Sequence, residues 1–151
     1  MGIQKSVTYE FRTLDHISTV LADILQQFPD LGDAEIAISE LMINAVEHGI
    51  VGIDYNEKSK LLENGTIFKE IESRLQDQRY AERGAVIEVK AFDDEIVIFV
   101  ADDGGGFAWK EYLDRNISKI TGLHGRGIYV SEQFFKTLTY IGSGNKVVAV
   151  F

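Results

Sequence analysis

The sequence predicts an α+β fold, a two-layer α/β sandwich whose helices cover one face of a mixed, mostly antiparallel sheet. Three observations carry this expectation. Short, β-patterned apolar runs occur at 6–12, 88–92, 96–100, 137–141 and 146–151. Longer runs with helical spacing fill 14–28 and 34–48. At 151 residues and 45% hydrophobic, the chain can bury one good core, and with no internal repeat or low-complexity segment it reads as a single domain, 1–151.

Each element has a local reason. The opening strand puts Val7, Tyr9 and Phe11 on one apolar face, and helix 14–28 is stopped by Pro29, the single proline. For helix 34–48, Asp33 is the expected N-cap and Gly49 the expected stop. Ile36, Ala37, Ile38, Leu41, Met42, Ile43, Ala45 and Val46 make this helix too apolar for a surface position, so most of it should be buried. In segment 50–84, Asp54 and Glu57 form a capping pair for a short helix ending at Asn64-Gly65. Thr66 then caps a second helix with Ile67, Phe68, Ile71 and Leu75 on one face, which needs cover from the core or a partner. Strands 88–92 and 96–100 are joined by the tight turn Asp93-Asp94-Glu95, and the last two strands close a hairpin around Gly142-Ser143-Gly144-Asn145.

Helix 34–48 also carries a polar stripe. Glu40, Asn44, Glu47 and His48 stand at i, i+4, i+7 and i+8 and share one face. Such a stripe on a mostly buried helix is either its wet edge or a surface that meets something polar, such as a metal-bound nucleotide. Downstream, strand 96–100 runs into Asp102-Asp103-Gly104-Gly105-Gly106-Phe107. Consecutive glycines let backbone approach a ligand closely, and a strand-end Asp offers acceptor oxygens to an exocyclic amine. By itself the segment also reads as a plain loop. A third segment, 122–128, contains Gly125-Arg126-Gly127 and opens a predicted helix, an arrangement that binds anions through free N–H groups and the helix dipole, or simply marks a tight turn. It is not a dinucleotide fingerprint, and no P-loop pattern occurs in the chain.

Taken together and in this order, the three segments resemble the ATP-binding domain of the GHKL superfamily, which includes gyrase and the histidine kinases. Glu40-x3-Asn44-Ala45-x2-His48-Gly49 matches its N box, Asp102-x-Gly104-x-Gly106-Phe107 its first glycine box and Gly125-x-Gly127 its second. The Ser-Glu-x3-Asn-Ala-x2-His-Gly form at 39–49 is most similar to the bacterial anti-sigma factor serine/threonine kinases. The resemblance implies ATP and Mg²⁺ as cofactors. It gives Asn44 as the metal ligand, Glu40 as the catalytic residue that orients or deprotonates the attacking hydroxyl, and Asp102 as the acceptor for the adenine amine. Gly104 and Gly106 would leave space for base and ribose, while Gly125, Arg126 and Gly127 would hold the phosphates. His48 would contact phosphate or satisfy the helix end, the second being preferred. Residues 107–124 correspond to an ATP lid, with Arg115 and Lys119 as basic residues that could approach phosphates. Where relatives often carry Thr near the adenine, this chain has Ser143 or Asn145. The helical insertion at about 50–84 departs from the anti-sigma kinases.

The function expected is therefore an anti-sigma-factor-like serine/threonine kinase that phosphorylates an anti-sigma antagonist. Alternatives are a nucleotide-gated protein-binding module and the ATP-binding domain of a histidine kinase. A net charge of −9 argues against nucleic acid or an anionic membrane as the main partner, leaving protein partners, an anti-sigma antagonist or a sigma factor by resemblance, and a homodimer. The lack of cysteine and of any visible signal peptide or membrane-spanning run leads to a cytoplasmic expectation.

Overall fold

The computed structural model describes residues 2–103, 134–142 and 145–151, and only the backbone of Tyr55. The expectations for Gly104 and Gly106, for the lid at 107–124, for Gly125, Arg126 and Gly127, and for Ser143 lie outside the described residues.

Five strands form one sheet: β1 (Lys5–Phe11), β2 (Ala85–Ala91), β3 (Ile96–Asp102), β4 (Thr137–Ile141) and β5 (Lys146–Val150), in the order β1-β2-β3-β5-β4. Every pairing among the described residues is antiparallel, so the expected mixed sheet shows no parallel pair there. The register explains why one face is buried. Tyr9 faces Ile87, Ile87 faces Val100, Val100 faces Val147 and Val147 faces Tyr140, one apolar row running across all five strands. A parallel row passes from Val7 through Val89 and Ile98 to Ala149 and Leu138. Intervening positions such as Thr8, Glu88 and Lys90 belong to the opposite face, where Lys90 Nζ lies 3.2 Å from Glu88 Oε1.

The helical layer meets those rows. Helix α1 (Leu14–Gln27) is capped by Thr13, whose hydroxyl accepts from the His16 N–H at 3.1 Å, and it buries Ile17, Val20, Leu21 and Ile24. Pro29 does more than stop it. It opens a 3-10 turn, Pro29–Ala34, which hands directly to α2 (Glu35–Asn44). Asp33 therefore lies inside that turn and does not cap the next helix, because no extended residue separates the two. The expectation of a mostly buried α2 holds for Ala37, Ile38, Leu41 and Met42, whereas Ile36 is 66% exposed on the outer side.

Beyond Asn44 the helix widens into a π turn, Ala45–Ile50, a rare geometry that concentrates at functional sites. Gly49 sits within it and is not the helix stop. The reversal comes three residues later at Gly52, whose φ of 64° suits glycine. The insertion then forms α3 (Tyr55–Asn64) and α4 (Ile67–Leu75). Asp54 accepts from the Glu57 N–H at 2.8 Å, and Gly65 ends α3 at φ 70°. Thr66 occupies the cap of α4 with no side-chain cap hydrogen bond. On α4, Ile67 and Ile71 are buried in the domain's own core and Leu75 packs against it. Phe68 departs from the expected stripe at 69% exposed.

Candidate functional site

The N box and the end of β3 meet at Gly49 and Asp102. A Cβ built on Gly49 would lie 2.1 Å from Asp102 Cγ and 2.3 and 2.5 Å from its carboxylate oxygens. Only a residue without a side chain allows the carboxylate to seat there. The glycine is thus required by a tertiary approach, a reason that helix-stop chemistry could not supply.

Asp102 is anchored from the other side by Asn145. The Asp102 N–H donates to the Asn145 carbonyl at 3.0 Å, and Asn145 Nδ2 donates back to the Asp102 carbonyl at 3.0 Å. This reciprocal clamp ties the last residue of β3 to the turn before β5. Next to it, the Gly84 N–H donates to the Asp103 carboxylate at 3.1 Å and the Asp103 N–H to the Gly84 carbonyl at 3.2 Å.

Leu41, Asn44 and Ala45 from the helix, Val100 and Asp102 from β3, and Tyr140, Asn145, Lys146 and Val147 from the final hairpin line one crevice. At about 10 Å³ it has room for about one water and not for a nucleotide. A larger cleft of about 810 Å³ shares Asp102, Asn145 and Lys146 and is bounded by the Arg12, His16 and Arg83 side of the sheet. Its size suits a small ligand, but no residue of the N box lines it. The crevice, not this cleft, is where Asn44 and Asp102 come together.

The polar stripe divides into unlike parts. Glu40 is half-buried, one turn before the buried Asn44. Both offer oxygen donors suited to a hard divalent cation. Among the described residues no group of three or more His, Cys, Asp or Glu could hold a metal unaided, so an ion at Asn44 would draw other ligands from a phosphate or water. His48 is buried, and its Nδ1 pairs with the Ile53 carbonyl just past the π turn. Glu47 is buried beside Lys58 of α3, with Oε2 2.6 Å from Nζ. Burial pushes the Glu47 carboxyl above its ordinary range, the Lys58 ammonium pulls it back, and the Glu40 carboxylate adds to the upward push.

Lys58 is the participant that sequence reasoning missed. It lies eleven positions beyond Glu47 on a separate helix, and no spacing rule links them. Lys146 and Tyr140 line the crevice without having been expected, while Asn145 was noted only as a substitute for a threonine.

A family model described as histidine kinase-like ATPase domain matches residues 10–151, and the chain belongs to that family. No curated protein matches it. Family membership supports an ATP-binding domain, and the described fold accords with one. No helix among the described residues is long and apolar enough to cross a membrane.

Proposed function

We propose that this histidine kinase-like ATPase domain binds Mg-ATP and acts as an anti-sigma-like serine/threonine protein kinase, phosphorylating an anti-sigma antagonist and holding a protein partner by direct binding. The observation that carries the nucleotide part is the seating of Asp102 against Gly49, which puts an acceptor carboxylate in the same crevice as Asn44. Asp102 accepts from the adenine amine, fixed in place by Asn145. Asn44 holds Mg²⁺ through its amide oxygen. The ion, when bound, neutralises charge on the phosphate oxygens. Gly104 and Gly106 make room for base and ribose, and Gly125, Arg126 and Gly127 bind phosphates by the backbone and guanidinium chemistry of their motif.

Glu40 orients the serine hydroxyl of the partner and accepts its proton as the phosphoryl group passes from ATP to the serine oxygen, leaving ADP. The exposure of Glu40 relative to Asn44 supports this role, since a group that meets a protein substrate has to be reachable. His48 serves the helix end, as its pairing with Ile53 supports. Cytoplasmic partner switching fits the form of the N box at 39–49. The test is incubation with γ-labelled ATP and serine-bearing candidate partners encoded alongside the chain. Label on a partner serine that disappears with Glu40→Gln bears out the kinase. Nucleotide-dependent partner binding with no label would instead leave a nucleotide-gated binding module.

A further inference from the structure

Beyond its Lys58–Glu47 pair, the insertion at 50–84 grips the turn that carries the N box. The Ile53 N–H donates to the Glu47 carbonyl at 2.7 Å. Arg74 of α4 donates to the Val51 carbonyl at 3.0 Å while also pairing with Glu57 and Glu70, and Arg83 Nη1 reaches the Ile50 carbonyl at 3.4 Å. The contact closest to the site is the Lys58–Glu47 pair, whose side chains are 12% and 7% exposed.

Stability alone does not account for that pair. Desolvating two charges costs about as much as their attraction returns, so a buried ion pair is typically no more stable than a well-packed apolar substitute. What the pair does supply is a fixed geometry. Glu47 is three residues from Asn44 and two from Gly49, within one helical turn of both. The Lys58 ammonium ties α3 to the π turn through Glu47 and offsets the nearby Glu40 charge.

We propose that Lys58 is a positioning residue of the nucleotide site: by holding Glu47 from the insertion, it fixes the turn that presents Asn44 to the metal and seats Gly49 against Asp102. The insertion is then a working part of the site. The inference rests on the nucleotide reading above for its effect on ligand, but the order it imposes on the turn belongs to the free protein.

The experiment compares the parent with Lys58→Met, Lys58→Arg and the double variant Lys58→Met/Glu47→Gln. It reads amide hydrogen exchange at 45–51 in nucleotide-free protein and calorimetric ATP affinity with and without Mg²⁺. Lys58→Met is expected to speed exchange at 45–51, leave β2 and β3 protected, and lower Mg-ATP affinity by about tenfold, within the usual range for coupling between sites. Lys58→Arg retains the charge and should recover most of that loss. The double variant removes the unpaired buried charge and should regain thermal stability, yet remain about tenfold weaker for Mg-ATP, with metal-free ATP also weakened because the Gly49–Asp102 seat is loosened. If Lys58→Met does not fold, the double variant decides. A folded variant lacking Lys58 with parental exchange at 45–51 and parental Mg-ATP affinity overturns the proposal. Should the parent bind no nucleotide, the nucleotide reading fails by itself, and parental exchange at 45–51 in the variants would still refute the positioning role.

Discussion

A methyl group at Gly49 sets the N box directly against Asp102. In Gly49→Ala the new Cβ would stand 2.1 Å from Asp102 Cγ, whereas carbon atoms rest at about 3.5–4.0 Å. One of the two must retreat by roughly 1.5 Å to reach that separation. The π turn is held by the insertion and the core, while the carboxylate can swing about its own side-chain bonds, so Asp102 is the part that gives. The expected stability cost is that of modest overpacking, about 1–3 kcal/mol. The larger effect falls on nucleotide binding. Losing a hydrogen bond to a charged acceptor is worth about 1.5–3 kcal/mol, which is roughly a 10- to 100-fold loss of ATP affinity. Calorimetry and thermal denaturation of Gly49→Ala, Asp102→Ala and the double variant separate the terms. Asp102→Ala should lose ATP by the same order, and the double variant should be no worse than either, with some stability regained because the clashing atoms are gone. Gly49→Ala with parental ATP affinity, or a double variant whose losses simply add, would show that Gly49 does not seat Asp102 for the nucleotide.

Other expectations follow from the same geometry. Asn44→Ala keeps a strong helix former, so melting should change little while the Mg²⁺-dependent part of ATP affinity falls; a full Mg-ATP thermal shift would make Asn44 structural. Glu40→Gln should lower phosphotransfer to a serine-bearing partner by about 10²- to 10⁴-fold with Mg-ATP binding intact, and an unchanged rate would remove Glu40 from the chemistry. Because burial raises the Glu47 carboxyl above its ordinary 4.5, with Lys58 opposing and Glu40 reinforcing, the folded state holds that proton more tightly than the unfolded one. Its contribution to stability therefore declines as pH rises from 4.5 through the folded value, and Glu47→Gln should lack this decline; parallel stability-pH curves for parent and variant would contradict it. Gly65→Ala places a side chain at φ 70° and should cost about 1–2 kcal/mol in denaturant melts without altering nucleotide affinity; an unchanged melt would contradict the left-handed end of α3.

What the sequence made legible was whatever depends on neighbours along the chain. The apolar alternation of Val7, Tyr9 and Phe11, the Asp54 cap and the Gly65 stop all answer to local rules, and the structure has each where the residues placed it. The strands at 85–91 and 96–102 extend past the expected runs because pairing lengthens them, with Ala85 opposite both Phe11 and Asp102. Misreadings arose where a remote contact decides. Asp33 looked like a cap until Pro29 organised the whole 29–34 turn, and Gly49 looked like a stop because the side chain it accommodates is Asp102, in another element. Glu47 shared a helical face with Glu40 and Asn44 by spacing, but its partner is Lys58 of the insertion. Phe68 followed the apolar count of α4, but it is 69% exposed while Ile67 and Ile71 are buried. The candidate site was legible as residue types in order; the clamp of Asn145 on Asp102 was not, since hairpin register and turn geometry create it together.

The most direct test of the site is calorimetric titration of the parent and of Asp102→Ala with ATP and with GTP, each with Mg²⁺. An Asp102 carboxylate that accepts from the adenine amine favours ATP, because the guanine carbonyl at that position would face the carboxylate and leave an acceptor unpaired. The parent should bind ATP more tightly than GTP, and Asp102→Ala should keep its fold while losing that preference. Equal affinity of the parent for the two nucleotides, or an undiminished preference in Asp102→Ala, would contradict the account.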